Sequence, residues 1–260
     1  MSTPVTAPGL RFDHVVVGVR DLPTATATLS SAGLTCVGGG EHTGRGTANS
    51  LFALADGYLE LLTVSDSDLA RSHSRNRAQV AELLHTHPVL PLGFAFQVAD
   101  VATTGAALEA SGLHIEGPVP MTRTNPDGAV VTWRNLYVGA TQWRTLTPFL
   151  ITWDAPHDLS DDEAPRLHRL DLTGPRHPAA SPSGGLASAA QAYQLLGATA
   201  RTSEHHHLGG VDLVLTSTEL AAGEGLTRIH LDGGHRREDL GGLGEFFTWT
   251  SAEYGATPSS

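Results

Sequence analysis

At 260 residues with 40% apolar content, the chain is long enough to bury a sizeable core and is not expected to be disordered. Its formal charge of −11 excludes the concentrated basic face that nucleic-acid binding needs. All 16 basic residues are arginine, which removes mechanisms built on a lysine Schiff base or a phosphate-loop lysine.

The arginine, alanine, glycine and proline usage suggests a bacterial source with a GC-rich genome. The single Cys36 cannot form an internal disulfide, and the N-terminal MSTPVTAPG lacks the basic and long apolar regions of a signal peptide. No apolar run approaches the ~20 residues of a membrane span. A cytoplasmic location without membrane insertion is the expectation.

Residues 10 to 19 (LRFDHVVVGV) read as a buried strand running into a helix capped by Asp21, with Pro23 in its first turn and Gly33 as its stop. Three further strands follow in LTCVG, ANSLFALA and GYLELLTV, separated by Gly-rich turns. The order is β, α, β, β, β over residues 10 to 64. Residues 65 to 89 read as a polar, partly helical connection.

The same order restarts in a second module over residues 90 to 154. Without a gap, Val19, Asp21, Thr24, Ala27, Leu29, Gly33, Leu34 and Gly38 fall on Val98, Asp100, Thr103, Ala106, Leu108, Gly112, Leu113 and Gly117. The matches are the helix cap, the apolar face and the stop. The second module continues through a hairpin turning at Asp127-Gly128 and closes on WRTLTPFLITWD.

A degenerate third module is expected over residues 165 to 233, from LHRLDLTGP through the helix ASAAQAYQLLG to GVDLVLTS and LTRIHLDGG. It follows the acidic linker APHDLSDDEAP and is interrupted by the loop RHPAASPSGG. Residues 234 to 260 read as a packing tail. The predicted fold class is therefore α+β, with repeated βαβββ modules forming a cupped mixed sheet.

Strand alternation places Phe12, His14, Val16 and Gly18 on one face, and Tyr58, Glu60 and Leu62 on one face of the closing strand. A buried carboxylate and a buried imidazole among apolar neighbours both need partners. At these residues the segments FDHVVVGVRDL, GGEHTGRGTANSLF and GYLELL resemble the glyoxalase-like domain of the vicinal oxygen chelate superfamily. The resemblance covers most of the chain. It implies that His14 and Glu60 fall on two metal-ligand positions, with Zn, Fe, Mn, Co or Ni suiting the donors.

In the second module the position matching His14 is Gly93, and the position matching Glu60 falls near Phe149, so the four-ligand set of the superfamily is not available. Either the loop histidine His42 completes the site, as third ligand or general base, or the third module supplies His168 and His230 at roughly analogous positions. Asn49 is a candidate to hold a substrate carbonyl or to orient His42. Trp133, Arg134, Arg144 and Trp153, placed on strands of the other wall, are candidates for substrate binding.

His205-His206-His207 reads as a surface turn and Cys36 as a buried small residue. Gly38-Gly39-Gly40 is followed by no GK[ST], so no nucleotide cofactor is expected. Three functions remain open. One is a metal-assisted isomerase, lyase or dioxygenase-like enzyme; another is a metal-free enzyme using His14 and Glu60 as an acid–base pair. The third is a protein that sequesters a drug or metabolite without turnover. The partner is a small molecule in each, and the odd third module leaves room for a homodimer.

Overall fold

The computed structural model describes residues 7–175, 185–218, 224–233 and 240–250. The loop expected at RHPAASPSGG falls almost wholly outside the described residues. The first half of the chain comprises β1 (Arg11–Val19), α1 (Leu22–Ser31), β2 (Cys36–His42), β3 (Thr47–Ala53), β4 (Tyr58–Val64), α2 (Ser67–His73) and α3 (Arg75–Thr86). Then come β5 (Val89–Gln97), α4 (Val101–Ala110), β6 (Ile115–Thr124), β7 (Val130–Val138) and β8 (Phe149–Trp153).

The capping chemistry falls where the sequence put it. Asp21 accepts from the Thr24 backbone N–H at the start of α1, and Asp100 accepts from that of Ala102 at the start of α4. Eight strands close within one chain into a barrel in the order β1-β4-β3-β2-β6-β7-β8-β5, so the cavity inside needs no second copy.

The two halves are related by register. β4 lies parallel to β1 with Val16 opposite Glu60, and β8 lies parallel to β5 with Ala95 opposite Phe149. β1 and β5 run antiparallel with Val16 opposite Gly93 and His14 opposite Ala95. Gly93 is thus the counterpart of His14 and Phe149 that of Glu60, as the repeat implied. By the same relation Asn49, opposite Leu62 on β4, corresponds to Asn135, opposite Ile151 on β8.

One departure from strict alternation matters. Phe12 pairs with Phe96 and His14 with Ala95, so Asp13 is an extra residue bulging from β1. The bulge removes one step of parity. Phe12 joins Val15 and Val17 in the core outside the barrel, whereas Asp13 turns to the same side as His14. The expectation that Phe12 and His14 share a face fails for this reason.

Two cores result. Inside the barrel Val16, Leu62, Leu92, Met121, Trp133, Phe149 and Ile151 pack with Val80 and Leu84 of α3. Outside it, α1, α4 and the second sheet cover Val15, Val17, Phe94 and Phe96. The connecting helix is therefore more than a linker. Val80 and Leu84 are buried, contributing about 1.5–3 kcal/mol each, and Arg20 caps the last carbonyls of α3 through Leu84 O (2.8 Å) and His85 O (2.9 Å).

The second half contains β9 (Arg166–Pro175), α5 (Gly185–Leu195), β10 (Thr199–Ala200), β11 (His205–Leu208), β12 (Val211–Thr218) and β13 (Gly225–Asp232). A 3₁₀ turn over Gly241–Glu245 leads to β14 (Phe247–Thr250), which pairs parallel with β13. The stretch past Gly233 therefore adds a strand besides packing Leu243 and Phe247 into the core. These strands form a six-stranded sheet, β10-β11-β12-β9-β13-β14, whose apolar side joins the outer core.

The histidine run is strand β11, not a surface turn. His206 is buried while His205 is exposed, the alternation a strand imposes. Cys36 is exposed instead of buried. β2 meets β6 at a single bridge, Glu41 to Thr124, which leaves the start of β2 at an open edge.

Candidate active site in the barrel

Three of the sequence candidates converge inside the barrel. His14 on β1, His42 at the end of β2 and Glu60 on β4 are all buried and line one cavity. His14 Nε2 lies 3.5 Å from Glu60 Oε2, and His42 Nε2 lies 4.0 Å from Glu60 Oε1.

His42 is a strand residue, where the sequence suggested a loop. The strand continues through Gly39 and Gly40 because both sit at positive φ with backbone close by. A Cβ at Gly39 would fall 2.3 Å from the Asn49 carbonyl oxygen, and one at Gly40 would fall 2.2 Å from that of Thr124. Only glycine lets β2 run on to present His42 inward.

Both imidazoles are held from behind. His14 Nδ1 donates to Asp13 Oδ1 at 2.5 Å, and this turns Nε2 toward Glu60. Asp13 also accepts from the Trp153 indole N–H at 2.9 Å. Tyr58 stacks on His14 with ring centroids 4.7 Å apart. His42 Nδ1 is hydrogen-bonded to Thr47 Oγ1 at 2.9 Å. Asn49 donates from Nδ2 to Glu60 Oε1 at 2.7 Å, which orients the carboxylate and leaves Oε2 toward His14.

The electrostatics follow from burial and from three guanidinium groups. Burial pushes the His42 pKa well below the usual imidazole value, and the charges of Arg77, Arg123 and Arg45 push it further, so His42 is neutral. Burial, with the Asp13 and Glu60 charges, pushes the Tyr58 hydroxyl well above its usual value. His157 comes from the acidic linker and stacks on Trp153 with centroids 3.9 Å apart. Burial and then Arg123 lower its pKa to about 4.

The opposite wall is apolar and aromatic. Trp133 and Trp153 lie 5.1 Å apart between ring centroids, and Phe149 packs edge-on against His14 at 5.4 Å. A Cβ built at Gly93 would meet the Trp143 ring at 3.6 Å, so that indole fills the place of a second-half ligand. The polar half of the site comes from β1 to β4 and the apolar half largely from β5 to β8.

The other candidates lie elsewhere. Arg134 is exposed and pairs with Asp154 at 3.2 Å. Arg144 is not on a strand. It sits at φ 60° in the segment before β8, with Nη1 donating to Pro91 O (2.8 Å) and Leu226 O (3.3 Å). His168 and His230 lie on the second sheet, against Asp232 at 3.0 Å and Asp171 at 2.8 Å. β12 lies parallel to β9 as β4 does to β1, whereas β13, which carries His230, runs antiparallel to β9 as β5 does to β1. His230 is thus no counterpart of Glu60.

Sequence reasoning missed Arg77, Arg123, Asn135 and Trp143 in the cavity, and Asp13 behind His14. Asn135 was available from the repeat, as the partner of Asn49. Arg77 carried a fainter signal, an arginine at the head of the helical stripe Arg77, Val80, Ala81, Leu84.

Residues 12–184 match the model of the glyoxalase-like domain family. The chain belongs to that family. No curated protein matches it. Among solved structures it is similar to a hypothetical protein from Staphylococcus aureus, at 14% identity over 86% of this chain and 91% of that one, with a TM-score of 0.67. The shared fold thus extends past the barrel into the second sheet. Methylmalonyl-CoA epimerase from Streptomyces coelicolor covers 56% of this chain and 98% of its own at 18% identity, with a TM-score of 0.41. The Mycobacterium tuberculosis epimerase covers 58% and 93% at 16% identity, also at 0.41.

Proteins of this superfamily commonly hold a divalent metal. Donors bound at about 2.1 Å to one cation stand about 3.0–3.4 Å apart. The 3.5 and 4.0 Å separations of His14 and His42 from Glu60 exceed this by a few tenths of an ångström, a gap that side-chain adjustment can close. The donor types fit, with carboxylate and hydroxyl partners behind the two imidazoles as metal-bound histidines have. Among the described residues, no group of three His, Cys, Asp or Glu side chains is already drawn together as a ligand set. Among the described residues, no helix is long and apolar enough to cross a membrane.

Proposed function

We propose that the chain is an enzyme that moves a proton on a small oxygenated molecule in the barrel cavity, with Glu60 as proton carrier and His14 as its partner. The approach of His14 Nε2 to Glu60 Oε2 carries this reading. Asp13 holds His14 through Nδ1, so His14 Nε2 and Glu60 Oε2 face each other at 3.5 Å in a buried place. Such a pair is stable with a proton or a cation between them, and it hands a proton over readily.

The steps need only this chain's residues. Glu60, oriented by Asn49, takes a proton from a carbon next to a carbonyl through Oε2. His14 accepts the proton from Glu60 and spreads its charge onto Asp13. The same proton returns from His14 through Glu60 to the substrate, while neutral His42 flanks the carboxylate on its other side. Return to a different face or atom is isomerisation, and loss of a leaving group instead is a lyase reaction. A divalent cation held by His14, His42 and Glu60 would polarise the substrate carbonyl, and Fe or Mn would admit dioxygenase-like chemistry.

Exchange of substrate C–H for deuterium in D2O, followed by NMR over a set of small carbonyl compounds, tests the reading. Exchange should fall by about 10²–10⁴-fold in Glu60→Gln and persist in Arg134→Ala. Wild-type exchange in Glu60→Gln would remove it. A chelator arm separates the metal-assisted from the metal-free form. The aromatic wall of Trp133, Trp143 and Trp153 favours a second reading, sequestration of a ligand without turnover. Tight binding with no exchange on any compound would support it.

A further inference from the structure

Arg77 is a charged group of the cavity that the proton chemistry does not use. It sits on the first turn of α3, is 5% exposed and lines the cavity. Its Nη1 is buried with no hydrogen-bond partner, and Arg77 makes no ion pair among the described residues. An unpaired buried guanidinium is costly, and an apolar residue would serve the helix better, since Val80, Ala81 and Leu84 complete the same stripe.

A second donor is in the same condition. Trp143 lines the cavity, and its Nε1 is buried without a partner. The helix and this indole are tied together. The Trp143 backbone N–H donates to Gln79 Oε1 at 2.8 Å, and Gln79 Nε2 donates to the Trp143 carbonyl at 3.3 Å. Arg123, also buried in the cavity wall, adds a second positive charge.

We infer that Arg77, with the Trp143 indole N–H, is an anion subsite for the carboxylate of the substrate, so that the molecules taken by this cavity are small carboxylic acids. The inference rests on the barrel cavity being the substrate site and specifies what enters it. A planar carboxylate matches the guanidinium fork, and its remaining carbon and carbonyl atoms then lie between the indole wall and Glu60.

Tryptophan fluorescence reads binding directly, because Trp133, Trp143 and Trp153 all face the cavity. The probes are small aliphatic, 2-oxo and aromatic carboxylic acids, each beside its primary amide, with sulfonate analogues as a further arm. At least one acid should bind about ten- to hundredfold more tightly than its amide, and Arg77→Met should lose that preference while the exposed Arg134→Ala keeps it. Arg77→Met should melt no lower than wild type, since an unpaired charge is removed. Equal binding of acids and amides, no binding by any acid, or full preference retained in Arg77→Met would overturn the inference. So would sulfonates binding in place of carboxylates. None of these readouts needs turnover, so failure of the proton-transfer reading would leave the carboxylate preference standing.

Discussion

The Trp143 ring stands 3.6 Å from where a side chain at Gly93 would begin, and Gly93 is the register counterpart of His14. One indole therefore takes the space of a second-half ligand. Gly93→Ala should be nearly neutral, because its Cβ meets the ring at an ordinary van der Waals distance. Gly93→His should cost about 1–3 kcal/mol by overpacking, and adding Trp143→Ala should recover much of it. Urea denaturation of the three variants checks this.

Asp13 acts through His14. Asp13→Asn keeps the shape, removes the negative charge beside Nδ1 and sets an NH2 donor against His14 or the Trp153 indole N–H, so activity should fall about 10–100-fold with the fold intact. The pH profile of the rate should shift as well. An unchanged profile with unchanged rate would make the Asp13–His14 contact merely structural.

Acid should weaken the fold in two separable windows. His157 and His42 are held neutral, with folded pKa values below the unfolded value of 6.5. The unfolded chain then binds more protons, and stability is lost as pH falls from about 6.5 toward 4 for His157. Asp21 and Asp100 have lowered pKa values, so their contribution is present above the unfolded 3.8 and goes only in stronger acid. Urea midpoints from pH 7 to pH 4 should slope downward in the wild type and less steeply in His157→Gln.

The two candidate arginines that lie outside the cavity should differ from each other. Arg134→Ala removes an exposed ion pair and should change stability by less than about 1 kcal/mol. Arg144→Ala leaves the carbonyls of Pro91 and Leu226 without their donor and should cost about 1–3 kcal/mol. Neither should alter ligand binding, which fluorescence titration would show.

Much of the architecture was legible because it repeats. Helix caps at Asp21 and Asp100, the stops at Gly33 and Gly112 and the hairpin at Gly128 are local devices, each written in a few adjacent residues. Period-2 alternation placed Tyr58, Glu60 and Leu62 on one wall, and the module offset located Gly93 and Phe149 opposite them. The same logic failed at β1, where the bulge at Asp13 has no sequence mark that separates it from regular strand. It failed again for β13, whose partner is set by the sheet and not by chain order.

The sequence by itself determined the family, the α+β order of strands and helices, and the central pair His14 and Glu60, because periodicity and capping are properties of neighbours along the chain. Closure of the barrel decided the rest. It brought Asp13 behind His14 and Asn49 onto Glu60, set Trp143 in the place facing Gly93, and buried Arg77 from a helix that reads as a connection. Those contacts join residues on separate elements, and no spacing along the chain encodes which side chains meet when the sheet curls shut.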